Sequence, residues 1–171
     1  MPDLIPAWDG EMLVPVEKLD VHRRGLRHKA VSVFAIAGDQ TLLQRRALGK
    51  YHTPGLWANT CCTHPNWNES PFDCAVRRLE QELNIKDAAP QHRGHVSYRA
   101  DVGGGMIEHE EVDIFVLKVP APFEVTPNSD EVMDTRWTTF SALADDIQAA
   151  PLIFTPWIRI YLDQHKAMIL A

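Results

Sequence analysis

Cysteine is scarce in this sequence, with only Cys61, Cys62 and Cys74 among 171 residues. Their odd number and close spacing exclude a disulfide framework and point to a reducing, cytoplasmic setting. Basic charge is not in excess either: 17 Lys+Arg against 23 Asp+Glu leave a formal charge of −6. No block of like charges interrupts the chain, so broad electrostatic binding of nucleic acid or of an anionic membrane surface is excluded. A small cationic pocket within the acidic chain remains open. No apolar run approaches the ~18 residues of a membrane-spanning helix, and the first residues lack the basic-then-apolar order of an export signal, so no membrane insertion is expected. There is no internal repeat, no low-complexity tract and no proline-rich linker. The expectation is a single domain over 1–171, acting as a monomer or weak homodimer, with 1–29 a partly irregular N-terminal segment. What the sequence does have in unusual number is histidine, eight in all.

The pattern along the chain is that of an α+β fold. Leu13-Val14 before Pro15-Val16 suggests a short strand or hairpin ahead of Glu17. AVSVFAIA over 30–37 reads as a buried strand, and Gly38-Asp39 turns the chain into a second arm over 41–46. Residues 57–64 look extended. The segment from Ser70 to Leu83 has a cap in Ser70, a proline at the first helical position, an acid in the first turn, and Ala75, Leu79 and Leu83 on one stripe. Asn84 suits a left-handed end. Strands are expected over 94–100 and 107–119, joined by Gly103-Gly104-Gly105, with another over 131–137. Helices follow over 140–148 and 156–168, the latter capped by Thr155.

Several groupings carry chemistry. In an extended WANTCCTHP, positions two apart share a face, so Cys62 and His64 point one way and Cys61 and Thr63 the other. Adjacent cysteines are also ordinary small core residues. Parity likewise puts Glu108 and Glu110 of MIEHEEVDIF on one face, with Ile107, His109 and Glu111 opposite. Two neighbouring carboxylates call for a shared cation or a raised pKa, unless the strand is a solvated edge. His22 and His28, taken with His64 and both glutamates, compose a nitrogen and oxygen ligand field suited to zinc, manganese or iron. No zinc-finger spacing accompanies them, and lone histidines commonly serve at surfaces or in structural hydrogen bonds. Arg78 and Glu82, four apart on the helix, read alone as a surface salt bridge. Lys18, Arg46 and Lys50 read singly as solvated. The triple glycine has no helix behind it and is a hairpin loop.

The blocks EKLDVH, RHKAVSVF, QRRALGKYHTPGLWANTCCTHP, RRLEQEL, SYRAD, IEHEEVDIF, DEVMDTRW and FTPW stand in an order that resembles the type I isopentenyl diphosphate isomerases, a branch of the Nudix fold. The likeness runs from Glu17 to Trp157. It implies a mixed β-sheet sandwiched between helices, and the conversion of isopentenyl to dimethylallyl diphosphate through a tertiary carbocation. The resemblance assigns proton transfer to Cys62 and Glu110, assistance at the glutamate to Tyr98, and an indole facing the cation to Trp157. It implies one divalent ion, Mn²⁺ or Zn²⁺, on His22, His28, His64, Glu108 and Glu110, and Mg²⁺ arriving with the diphosphate at Glu82. Lys18, Ser32, Arg46, Lys50 and Arg78 are implied as diphosphate contacts. Ungapped matching from Tyr98 to Phe115 selects Glu110 over Glu111. The general Nudix signature is eroded: Glu69, Arg77, Glu80 and Glu82 stand in place, while Thr63, Arg78, Gln81 and Asn84 depart from it. A Nudix-type diphosphate hydrolase using the remaining glutamates is the alternative enzyme, and a catalytically silent binding domain the alternative of another class.

Overall fold

The structure, a computed structural model, describes residues 3–171. Its elements run β1 (Leu4–Asp9), β2 (Met12–Glu17), α1 (Lys18–Arg24), β3 (His28–Ala37), β4 (Gln40–Arg46), β5 (Trp57–Ala58), β6 (Cys61–Thr63), α2 (Pro71–Leu83), β7 (Gln91–Gly103), β8 (Met106–Lys118), β9 (Val132–Thr139), α3 (Phe140–Ala149), α4 (Pro156–Gln164) and α5 (Lys166–Ile169). A 3₁₀ turn at Pro151–Ile153 joins α3 to α4. All nine strands belong to one mixed sheet.

The N-terminal segment is more regular than its polar composition predicts. β1 and β2 pair from Leu4–Glu17 to Asp9–Met12, and α1 follows at once. Glu17 caps that helix, accepting from the backbone N–H groups of Leu19 and Asp20. Gly25 ends it at φ 65°, where a side chain would meet left-handed strain as well as Ile107 at 3.3 Å.

β3 is the organising strand. β8 runs parallel along one of its edges, from His28 opposite Glu110 to Ile36 opposite Lys118. The other edge is shared in turn by β1 at His28, β6 at Val31–Val33 and β4 at Ile36–Ala37. The hairpin expected between β3 and β4 is therefore only two pairs long. β4 then diverges to pair with β5 and β9.

The alternation of β3 separates two cores. Val31, Val33 and Ala35 pack with Leu79 and Leu83 of α2 and with Cys61 and Cys74. Ala30, Phe34 and Ile36 pack on the other face with Val112, Ile114 and Val116 and with Trp157 and Tyr161 of α4. Helices thus cover both faces, as a half-polar, half-apolar α2 requires.

α2 begins and ends where the sequence places it. Ser70 Oγ accepts from the Asp73 N–H at 3.0 Å, and Asn84 closes the helix at φ 54°. The helix expected over 156–168 is instead two, broken at His165, and Thr155 makes no side-chain cap bond. Its hydroxyl is buried without a partner. β7 begins at Gln91, earlier than expected, because a bulge between His92 and Gly94 lets the strand continue.

Leu79 is wholly buried against the sheet, so Leu79→Ala is expected to lower stability by about 3 kcal/mol in urea unfolding. Ser70→Ala, which removes only the cap, is expected to cost about 1 kcal/mol.

Candidate active site

Three elements and one loop bring histidines to a single point inside the protein. α1 carries His22, the start of β3 carries His28, β6 is followed by His64, and the loop between β4 and β5 contributes His52. His22 and His28 are wholly buried. Each donates its Nδ1–H to a nearby carbonyl, Lys18 O at 2.6 Å and Leu26 O at 2.8 Å. That fixes the tautomer and turns Nε2 inward. One ligand atom from each of His22, His28, His64 and Glu108 lies within 4.8 Å of the others. The Nε2 atoms of His22 and His28 and Oε2 of Glu108 are buried without hydrogen-bond partners. Orphaned buried donors and acceptors of this kind are costly, and a divalent cation among them would satisfy all three. The residues fit a metal ion.

Glu108 and Glu110 share one face of β8, 2% and 6% exposed, while Glu111 on the other face bonds His95 and Ser97 near the surface. The parity expected from the sequence holds. Burial and then the charge of Glu108 push the Glu110 carboxyl up to about 8. Burial alone would raise Glu108, but its close contacts with His22, His28, His52 and Glu110 outweigh that and lower it. Burial alone would lower His28, but its contacts with Glu108 and Glu110 raise it to about 10. Tyr98, directly across from Glu110 on β7, donates its hydroxyl to Glu110 Oε1. Oε2 of the same carboxylate stays on the histidine side, 3.4 Å from His28 Nε2.

Cys62 lies on the opposite flank of β3, paired with Ser32, just as Glu110 is paired with His28. Its thiol donates to Asn59 Oδ1 at 2.7 Å, and burial pushes its pKa upward. Cys61 faces the α2 core and donates to Glu82. Ser32 is buried beneath Cys62, its hydroxyl taken by Cys62 Sγ at 3.4 Å and Tyr161 at 2.9 Å. Of the five expected diphosphate contacts, Ser32 alone does not line an outer chamber that the other four share.

The remaining cations meet in an outer chamber of about 340 Å³, lined by Lys18, Arg46, Lys50 and Arg78 with Tyr51, Cys62 and His64. A hollow of about 20 Å³ lies deeper, bounded by Cys62, Glu108, Glu110, His52 and Trp157. Both spaces share Arg46, Tyr51, Cys62, Thr63 and His64. Trp157 is 3% exposed, and the Arg46 guanidinium stands 5.3 Å from its ring. Glu131 occupies the cations, with Lys50 Nζ at 2.5 Å and Arg78 Nη2 at 3.4 Å. Glu82 is apart from the histidine cluster. It is bonded by Gln44, Cys61 and Arg78 on the α2 side.

The NUDIX domain family matches residues 26–158. Proteins named isopentenyl-diphosphate Delta-isomerase from Dinoroseobacter shibae and from a strain of Cereibacter sphaeroides are each 57% identical to this chain over 169 residues, covering 99% of it and 96% of theirs. The chain belongs to the isopentenyl-diphosphate Delta-isomerase family and carries a NUDIX domain. Solved structures agree in fold. A MutT NUDIX hydrolase from Burkholderia pseudomallei superposes with a TM-score of 0.62 at 19% identity, covering 82% of this chain and 98% of that one. The E. coli dihydroneopterin triphosphate pyrophosphohydrolase gives 0.61 at 16% identity, covering 84% and 96%.

In this isomerase-family chain the structure brings together Cys62, Tyr98, Trp157, the three expected histidines and both glutamates. It adds residues that the pattern did not single out: Asn59, Tyr161, Glu131 and His52. Only His52 had a signal nearby, in its place two residues after Lys50. The others act across long sequence separations.

His28 and Glu110 are both raised, so a divalent cation taken up by the cluster would compete with protons: loading metal-free protein with Mn²⁺ is expected to release protons and to tighten as pH rises. Calorimetry in buffers of different ionisation enthalpy reads this, and a heat independent of buffer would contradict it. For Glu131, burial raises the carboxyl, but Lys50 and Arg78 more than reverse that, leaving it below the ordinary value of 4.5. Its stabilisation is therefore complete above that value and lost as pH falls through the lowered one. Glu131→Gln is expected to cost about 0.5–1 kcal/mol at neutral pH, with the difference vanishing in acid when urea midpoints are compared.

Proposed function

We propose that this protein isomerises isopentenyl diphosphate to dimethylallyl diphosphate, with Cys62 and Glu110 as the proton-transfer pair. The observation that carries this is their placement on opposite flanks of β3, both facing the inner hollow next to a cationic chamber. A terminal alkene gains a proton at its end carbon and becomes a tertiary cation. Loss of a proton from the adjoining methylene then gives the internal alkene. One proton enters and one leaves, so the substrate's composition is unchanged, and two groups on different sides of a dry space suffice.

Each neighbour has a part in that scheme. Tyr98 holds Oε1 of Glu110 and Oε2 faces His28 and His64, so the carboxyl is fixed at both oxygens beside the hollow. Asn59 accepts the Cys62 S–H and holds the thiol in one orientation. The Trp157 ring offers its negative face to positive charge, an attraction of about 2 kcal/mol where water is excluded. Lys18, Arg46, Lys50 and Arg78 receive the diphosphate, which displaces Glu131 from Lys50 and Arg78. The hollow of about 20 Å³ is smaller than a five-carbon chain, so this reading requires it to widen when substrate enters.

His22, His28, His64, Glu108 and Glu110 would hold one divalent ion, Mn²⁺ or Zn²⁺, and Glu82 would hold Mg²⁺ arriving with the diphosphate. Bound there, a divalent ion supplies fixed positive charge that offsets the buried carboxylates and sets the proton affinity of Glu110. The three cysteines are free, which supports a reducing, cytoplasmic setting. We read the chain as one domain working as a monomer or weak homodimer.

The test is formation of dimethylallyl diphosphate from isopentenyl diphosphate with Mg²⁺, before and after chelation. Cys62→Ala and Glu110→Gln are each expected to lower kcat by ~10³-fold or more with the unfolding midpoint retained. Near wild-type turnover in either variant would overturn the assignment. Phosphate release from diphosphates without allylic product would favour a hydrolase instead.

A further inference from the structure

His52 stands outside the expected ligand set, yet its ring is the best satisfied in the cluster. It is 5% exposed. Its Nε2 is 2.7 Å from Glu108 Oε1. A carboxylate oxygen accepts, so this nitrogen carries the hydrogen. Its Nδ1 faces two donors, the Thr53 hydroxyl at 2.8 Å and Arg46 Nη2 at 3.5 Å. Nδ1 is therefore the acceptor, and both nitrogens of a neutral ring are assigned. His22 is turned the opposite way, with Nδ1–H on Lys18 O and Nε2 2.5 Å from the same Glu108 oxygen, a contact that needs a proton or a cation between the two atoms. One histidine is built to meet a cation and the other to hold the carboxylate.

The surroundings keep His52 in that role. Thr53 is a β-branched residue held at φ 46°, a left-handed conformation that persists only where its neighbours fix it. It sets the hydroxyl against Nδ1. Arg46 also donates to the His52 carbonyl at 3.1 Å, and the imidazole meets the Trp157 ring at 5.7 Å between centroids.

We propose that His52 is a positioning residue for the metal centre: its Nε2–H pins Oε1 of Glu108 so that Oε2, buried and unpartnered, is presented to the ion held by His22, His28 and His64. Through Arg46 it also links that centre to the outer chamber. This inference rests on the metal reading given above and adds to it a residue outside the ligand set.

Competition for Mn²⁺ between a chelator and the metal-free protein tests it in the wild type, His52→Phe, His52→Gln and Thr53→Val. Phe keeps the ring volume without a donor, whereas Gln places an amide N–H near the same carboxylate. His52→Phe is expected to weaken Mn²⁺ binding roughly 10–100-fold, with His52→Gln recovering most of the loss. Thr53→Val, which leaves His52 in place but removes its partner, is expected to show a smaller loss. Wild-type affinity in His52→Phe overturns the proposal, as does His52→Gln binding no better than Phe, which would mean a packing role. If His52→Phe does not fold by circular dichroism, unchanged affinity in Thr53→Val overturns it. A wild type that binds no Mn²⁺ at this site removes the metal reading itself, a result distinguishable from selective failure of the variants.

Discussion

Two carboxylates buried side by side on β8 set the terms for the rest of the structure. Left uncompensated in an interior, each would cost several kcal/mol, so the fold must bring partners to them. It does so from every direction: His22 from α1, His28 from β3, His64 from beyond β6, His52 from a loop and Tyr98 from β7. The parallel register that sets Glu110 opposite His28 is what makes the cluster possible. A slip of one residue would present Glu111 inward and send both buried carboxylates to the other face.

The same economy links the two chambers. On α1, Lys18 and His22 are four residues apart and so lie one above the other. Lys18 reaches the outer chamber, while its carbonyl accepts the Nδ1–H of His22 and aims that ring into the cluster. Arg46 serves both sides in a similar way, lining the outer chamber, the inner hollow and the contact with His52. The net charge of −6 is thus compatible with an anion-binding pocket. The acidic groups nearest the site, Glu82, Glu108, Glu110 and Glu131, are each engaged by cations or by hydrogen-bond donors.

Features with a short period were legible in the sequence, because strand and helix geometry tie them to spacing. The face shared by Cys62 and His64, the shared face of Glu108 and Glu110, and both ends of α2 follow from alternation and capping chemistry. The division of Cys61 from Cys62 between two cores is the same rule at work. Contacts made across the fold were not legible. Ser32 reads as an available hydroxyl until Tyr161, far along the chain, is found packed against it. His52 reads as a loop histidine because its partner Glu108 arrives from a strand 56 residues later. The limited hairpin between β3 and β4 was hidden for a related reason: local turn chemistry cannot show that β6 and β8 take the edges of β3.

The helix α2 shows why the hydrolase alternative is not favoured on this fold. Activation of water by several Mg²⁺ ions needs free carboxylates gathered at one place, and the glutamates of this helix region are dispersed. Glu69 is held in a two-point ion pair by Arg77, at 2.7 and 2.8 Å. Glu80 is exposed on the helix surface. Glu82 is buried, with Gln44 on one oxygen and Cys61 and Arg78 on the other. Where an acidic residue would extend the cluster, Arg78 stands instead, and it reaches toward Glu131 and the outer chamber. Arg78 thus puts positive charge beside Glu82 at the end of the helix. The proton-transfer pair proposed above, Cys62 and Glu110, lies instead across the sheet from this helix, on the two flanks of β3.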